Sequence, residues 1–185
     1  MNIFWLHTNG RVMALLHADA HAVKMILEIA QLCSNVYYHY MQEDVECKVY
    51  KKTHAHHPMS VFVCQNKRNF VLAARRGLAI AREYTRRFGK THKCEAVLTG
   101  MLECPPDFSV CPPPEYSDTT VLAQYGMYTV PLCMPEEFHH HNACVAYTRY
   151  YLNKLLTVPR LRRWNRRETF ALPLAVSLAS HREKT

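Results

Sequence analysis

The sequence lacks the features that mark zinc-binding, membrane-spanning or secreted proteins. Its eight cysteines form no CxxC pair, which argues against a zinc ribbon or a thioredoxin-type redox centre. No apolar run reaches about 18 residues, so no membrane partner or span is expected. The amino terminus, MNIFWLHTNG, has no basic segment before its apolar part and does not resemble a signal peptide. We therefore expect an intracellular chain with mostly reduced thiols.

Acidic residues are also scarce relative to basic ones. The chain of 185 residues has 23 Lys and Arg against 15 Asp and Glu, a net charge of +8. This balance favours a polyanionic partner, DNA or a nucleotide, although a merely basic protein would have the same composition. Hydrophobic residues make up 49% of the chain and charged residues 21%, which excludes a disordered protein.

The stretch 21–35, HAVKMILEIAQLCSN, is predicted to be the helix around which the chain is organised. Apolar side chains cover most of its circumference, and a helix of that kind is buried. One interpretation is a core helix whose Lys24 and Glu28 form a satisfied ion pair. The other is a helix that lines an active site with a narrow polar row. The members of this row, at steps of three and four, are His21, Lys24, Glu28, Gln31 and Asn35.

The remaining pattern predicts a mostly α fold: a single compact helical domain over 1–170 and a loosely held tail over 171–185. Further helices are expected over about 11–18, over 59–88 with a bend near Gln65, over 94–102 and over 141–156. Asp19 is expected to cap the central helix. Residues 103–135 are rich in proline and predict a long loop. In the last helix, Tyr147, Tyr150, Tyr151 and Lys154 are assigned to packing rather than to ligand binding.

The segment THAHHP, residues 53–58, predicts a helix start with His57 as cap and Pro58 in the first turn. Free N–H groups at such a start suit a phosphate, which His54 and His57 would contact. A solvated histidine loop is the alternative, and it is favoured for His56. His140 and Cys144 have a spacing that a metal can use, but a catalytic site needs three convergent ligands. We expect no metal and no cofactor.

Basic residues concentrate in two places that fit contacts along a phosphate backbone. The first is one side of the helix predicted over 59–88, together with the turn that follows it. The second is a basic C-terminal segment, RLRRWNRR over 160–167, whose alternative is a docked segment anchored by its tryptophan. The residues concerned are Arg68, Arg75, Arg82, Arg86, Lys90, His92 and Lys93 in the first place and Arg162, Arg163 and Trp164 in the second.

Several segments resemble known families. MNIF, HADAHAVKMILEIAQL, THAHHP and EYTRRFGKTHK resemble small uncharacterised proteins of phages and large viruses, which implies the host cytoplasm or nucleus for a viral protein. The order of elements is also similar to pyrimidine-dimer DNA glycosylases of the phage endonuclease V type, which are compact, mostly helical and basic. Asp19, His21 and Glu28 match the spacing of that family's D-x-H motif and catalytic Glu. HPMSVF at 57–62 and RRFG at 86–89 match later motifs loosely.

Two positions depart from the glycosylase pattern. In that family the residue after the initiator Met is small, and its freed amino group forms an imine with the sugar. Asn2 does not normally permit removal of Met1, and Leu27 stands where the family has an arginine. The resemblance therefore implies an N-glycosylase and leaves the associated lyase step open.

In this interpretation Glu28 would stabilise an oxocarbenium-like sugar. Lys24 or His21 would hold a phosphate or protonate the departing base, while Gln31 and Asn35 would contact a base edge or a water. A flipped base would stack on an aromatic residue of the long loop. The alternatives are a nucleic-acid-binding protein without catalysis, an enzyme acting on free nucleotides, and a metal-dependent hydrolase.

Overall fold

A computed structural model describes residues 1–42, 48–161 and 163. Within these ranges the fold is mostly α, as predicted. None of the described helices combines the length and the apolar character that a membrane span requires. The helices are α1 Gly10–Leu16, α2 Asp19–His39, α3 Pro58–Cys64, α4 Lys67–Phe88, α5 Lys93–Glu103 and α6 Ala143–Thr157; the strands are β1 Leu122–Tyr125 and β2 Tyr128–Pro131; short 3-10 helices span Glu136–Phe138 and Pro159–Leu161.

Helix α2 is the core helix because apolar side chains surround most of it, and α4 packs along its length. Ile26, Ile29 and Leu32 are fully buried. The contact is closest at Gly77 of α4, where an added Cβ would lie 2.6 Å from the Leu98 side chain of α5 and 3.0 Å from Ile29. A side chain at this position would therefore push α2, α4 and α5 apart.

The amino-terminal segment crosses the core without forming a helix or a strand. Residues 3–6 are all buried. The Phe4 ring packs between α2 and α6, with centroids 5.3 Å from His21 and 5.0 Å from Tyr151. This packing fixes the path of the chain at Asn2, beside α2.

The helix predicted over 59–88 is two helices. His57 caps α3 as predicted, accepting the N–H of Met59 at 3.1 Å, with Pro58 in the first turn. The chain then turns, because Asn66 caps α4 by accepting the N–H of Asn69 at 2.9 Å. The break lies at the bend expected near Gln65, and the new N-cap explains why it separates two helices.

The proline-rich stretch 103–135 contains a hairpin that was not predicted. Strands β1 and β2 pair antiparallel, and Gly126 in their turn has a φ of 58°, which glycine adopts without strain. Tyr125 and Val130 are buried against the helices. Each strand has only four residues, which is too short for a clear alternating pattern among prolines.

Arg87 joins α1, α2 and α4 at one buried point, and its side chain is 0% exposed. Its guanidinium donates to the carboxylates of Asp19 at 3.1 Å and Glu83 at 2.6 Å, and to the His17 carbonyl at 2.6 Å. The prediction that Asp19 caps α2 is therefore wrong: the N-cap is Ala18, and the Asp19 carboxylate binds Arg87 instead.

The carboxylate of Glu83 completes this cluster. Burial favours its protonated form, but hydrogen bonds from Arg86 and Arg87 bring the pKa of Glu83 below its usual value. The cluster is thus a set of paired charges with its donors and acceptors matched, which is the condition for burying ions in a core.

Replacing Arg87 with Met should destabilise the protein by about 3–5 kcal/mol, because Asp19 and the end of α1 lose their buried donor. Arg75 lies exposed on the same helix, so Arg75→Met should change stability by less than about 0.5 kcal/mol. Urea unfolding of the two variants measures both effects. Equal unfolding midpoints would contradict the role assigned to Arg87.

Candidate active site

An open cleft of about 520 Å³ lies where the amino-terminal segment, α2 and α6 meet. The polar row of α2 faces this cleft through its first members. Helix α2 lines the cleft with His21, Lys24, Met25 and Glu28. One flank consists of Met1, Asn2, Phe4 and Cys133. The other flank consists of Tyr150, Lys154, Val158, Arg160 and Leu161.

Glu28 is held at the base of the cleft through both carboxylate oxygens. Oε2 accepts the backbone N–H of Asn2 at 2.9 Å, and Oε1 lies 3.1 Å from Nζ of Lys24. The Glu28 side chain is 10% exposed and that of Lys24 67%. The ion pair of the first interpretation is therefore present, and it stands at an open cleft as the second interpretation expected.

The side chain of Asn2 sets the direction of its backbone N–H. Its Nδ2 donates to the Cys133 carbonyl at 2.9 Å, and its Oδ1 accepts the Tyr147 hydroxyl at 3.2 Å. Asn2 appeared in the sequence only as a departure from a family pattern. Its partners lie up to 145 residues away along the chain, so no local signal indicates this role.

His21 is buried and uncharged. Its Nδ1 lies 2.9 Å from the Tyr151 hydroxyl. Burial, followed by the positive charges of Lys154 and Lys24, lowers the pKa of His21 from 6.5 to about 4. The expected role of His21 as a proton donor to a departing base does not fit a ring that is neutral near pH 7.

The far end of the polar row lies outside the cleft. Asn35 is buried, and its side chain forms hydrogen bonds within the protein. Its Nδ2 donates to the Thr53 carbonyl at 2.6 Å and to Oγ of Ser60 at 2.8 Å. Its Oδ1 accepts the Thr53 N–H. Asn35 therefore ties α2 to the segment before α3, and the prediction that it contacts a base edge is wrong. Gln31 is partly exposed but does not line the cleft.

The histidines of THAHHP lie beside the cleft rather than in its wall. Burial, then the amino terminus and His54, lower the pKa of His57, whereas the charge of Glu28 raises it. These influences place the His57 ring within electrostatic range of Glu28. Its own Nδ1 takes the N–H of Met59 at the start of α3, and the exposed His54 turns its Nδ1 to Oγ1 of Thr53 at 2.6 Å. The predicted phosphate position at this helix start is not supported.

None of the arginines of the predicted α4 face lines the cleft. Arg75 and Arg82 are exposed, and Arg86 is bound to Glu83 at 2.8 Å. In the basic turn that follows, Lys90 and Lys93 are exposed. His92 caps α5, accepting the Cys94 N–H at 3.2 Å. These basic residues therefore lie outside the cleft that contains Glu28.

The basic C-terminal segment reaches the start of α2. Arg163 is exposed, and its backbone carbonyl accepts the N–H of Asp19 at 2.9 Å. Arg160 lines the cleft. Arg162 and Trp164 lie outside the described residues. The segment thus supplies at least one cation to the cleft, at a position that the pattern of basic residues alone did not distinguish.

Helix α6 contributes the residues that sequence reasoning missed. Nζ of Lys154 lies 5.1 Å from the centre of the Tyr150 ring and 3.4 Å from its hydroxyl. The Phe138 ring packs behind Tyr150 at 5.4 Å. The sequence pattern assigned Tyr150 and Lys154 to helix packing. Their spacing along the helix does not distinguish a side chain that faces the cleft from one that faces the core.

The charges at the cleft are mostly positive. Lys24, Lys154 and Arg160 face a single carboxylate, Glu28, among its lining residues. Over the described ranges, no three His, Cys, Asp or Glu side chains are grouped in a way that could hold a metal ion. The arrangement suits an anionic ligand that carries an aromatic group for Tyr150 and presents an electron-poor centre to Glu28.

Comparison with protein-family models, with curated proteins and with solved structures gives no significant match.

Acid should destabilise the protein through its two buried histidines. Burial lowers the pKa of His17 from 6.5 to about 3, and that of His21 falls to about 4. The unfolded chain takes up protons below about pH 6.5 while both folded rings stay neutral, so stability falls as pH drops from there toward pH 4. Urea unfolding at about pH 5 and pH 7 measures the loss. His17→Gln should reduce this pH dependence and exposed His56→Gln should not; equal slopes would contradict the assignment.

Proposed function

We propose that the protein is a DNA glycosylase-like enzyme that cleaves the N-glycosidic bond of a damaged or modified base in DNA. The observation that carries the proposal is Glu28, whose two oxygens are anchored in an open cleft where the other charged side chains are the cations Lys24, Lys154 and Arg160. The lyase step of the endonuclease V type is not part of the proposal.

Breaking an N-glycosidic bond leaves positive charge on the sugar. A carboxylate already fixed beside that carbon stabilises the charge without having to reorient during the reaction. The Asn2 N–H and Lys24 provide this fixation for Glu28. Glu28 would also orient the attacking water and take a proton from it, while the base leaves with the electron pair of the broken C–N bond and is protonated by solvent. The Lys24 ammonium, which is mostly exposed, would contact a phosphate beside the sugar.

The opposite flank would bind the nucleotide. A cleft of about 520 Å³ lies in the range of small-molecule sites, so a nucleotide must leave the duplex to enter it. Tyr150 offers a ring for base stacking, and Lys154 and Arg160 offer charge for the backbone. Tyr150 takes the stacking role that sequence reasoning gave to an aromatic of the long loop.

An enzyme acting on free nucleotides is the second candidate, because the volume of the cleft fits one nucleotide as well as a flipped one. Release of base from irradiated or chemically modified duplex DNA favours the glycosylase. Turnover of nucleotides without affinity for duplex DNA favours the second candidate.

Glu28→Gln should lower base release by at least about 100-fold, since the amide lacks the charge that stabilises the sugar cation. The amide oxygen can still accept the Asn2 N–H, so DNA affinity should stay near that of the wild type. Gel-based detection of abasic sites and a binding titration measure the two quantities. Exposed Glu103→Gln on α5 is the control with wild-type activity, and equal rates in the two variants would end the proposal.

Lys154→Gln and Arg160→Gln should each weaken DNA binding and reduce the dependence of log affinity on log salt by about one phosphate contact. Arg149→Gln is the matched control, because Arg149 is exposed on α6, the helix that carries Lys154, and does not line the cleft. Fluorescence anisotropy over a salt series measures the slopes. Equal slopes in all three variants would remove Lys154 and Arg160 from the binding surface.

A further inference from the structure

The buried hydroxyl of Tyr151 lies between two polar groups at the start of α2. The backbone N–H of Ala18 donates to it at 2.7 Å, and Nδ1 of His21 lies 2.9 Å away. Tyr151 is 1% exposed, so its hydroxyl hydrogen has no access to solvent. A buried hydroxyl hydrogen requires an acceptor, and within the described part of the chain His21 Nδ1 is the acceptor that it meets.

This direction of the hydrogen bond fixes the tautomer of His21. Since Nδ1 accepts, a neutral imidazole carries its proton on Nε2. The ring is neutral because burial and the nearby Lys154 and Lys24 lower its pKa to about 4, against the opposing effect of Glu28.

The neighbouring groups do not compete for the same atom. His17, the other ring at this junction, turns its own Nδ1 to the Met13 carbonyl at 2.8 Å. The Phe4 ring packs against His21 and Tyr151 and restricts rotation of both. His21 therefore stands in the cleft wall with one nitrogen committed to Tyr151.

We propose that Tyr151 is a positioning residue that holds His21 as its Nε2–H tautomer, so that His21 offers an uncharged hydrogen-bond donor to a phosphate oxygen beside the reacting sugar. The inference rests on the proposed function for the identity of this oxygen. An imidazolium here would repel the positive charge that develops on the sugar, whereas a neutral N–H binds the phosphate without adding charge.

Nitrogen-15 NMR of the full chain tests the tautomer directly, because the shifts of a protonated and an unprotonated ring nitrogen differ. At about pH 7 the wild type should show His21 protonated on Nε2 alone, and Tyr151→Phe should show a mixture of tautomers. A wild-type ring protonated on Nδ1 would overturn the inference, whatever the activity of the protein.

A binding cycle tests the positioning role. The probe is a duplex that carries a tetrahydrofuran abasic-site analogue. His21→Ala should weaken binding by about tenfold, as expected for loss of a hydrogen bond to a charged oxygen. Tyr151→Phe should weaken it by less, about twofold if half of the rings keep the Nε2–H tautomer. The double variant should bind no more weakly than His21→Ala, because Tyr151 acts through His21. A further loss in the double variant would show a separate structural effect and overturn the role.

Two further arms complete the design. The control Tyr40→Phe removes another buried hydroxyl, which donates to the Cys64 carbonyl at 2.9 Å far from the cleft. This variant should bind the probe as the wild type does. Weakened binding would attribute the effect to general destabilisation and overturn the inference. Repeating the cycle with a deoxynucleoside monophosphate distinguishes a DNA backbone from a free nucleotide as the source of the phosphate. Absence of base release would refute the proposed function, while the NMR result would still decide the tautomer.

Discussion

The hydrogen bond from the Asn2 backbone to Glu28 is the contact on which the site depends. It brings the amino-terminal segment against α2, and the buried residues 3–6 hold the segment there. Without the amino-terminal segment, Glu28 would lie on an ordinary helix surface beside Lys24. With it, the carboxylate has a fixed orientation and a wall on one side, and α6 supplies the opposite wall.

A second constraint fixes the start of α2, between two and three turns before Glu28. The Arg87 guanidinium binds Asp19 at the start of α2 and the carbonyl of His17 just before it. Tyr151 receives the N–H of Ala18 between these two residues. The first turn of α2 is therefore held by α4 on one side and by α6 on the other, so His21 and Lys24 project from a backbone with little freedom to move. Such rigidity is what a preorganised electrostatic site needs.

The sequence predicted the central helix and its polar row because both depend on local periodicity. It also predicted the cap at His57, which depends on neighbouring residues. It did not predict the hairpin of β1 and β2, the placement of Lys154 in the cleft or the burial of Asn35. Each of these depends on contacts between distant segments: Asn35 binds Thr53 and Ser60, and the same amide on the same helical row would be a ligand-contacting group if those residues lay elsewhere.

The polar row thus changes character along one helix. Near its start, polar side chains face a cleft and keep hydrogen-bonding capacity for a ligand; near its end, Asn35 is satisfied within the protein. Burial lowers the pKa of His21 to about 4, which favours the neutral ring. Lys24 and Glu28 instead form an ion pair at 3.1 Å, with the Lys24 side chain mostly exposed. A neutral donor, a cation and an anchored carboxylate on successive turns can divide the work of binding a phosphate and stabilising a cation. That division requires three different environments within two helical turns, and the meeting of the amino-terminal segment, α2 and α6 provides them.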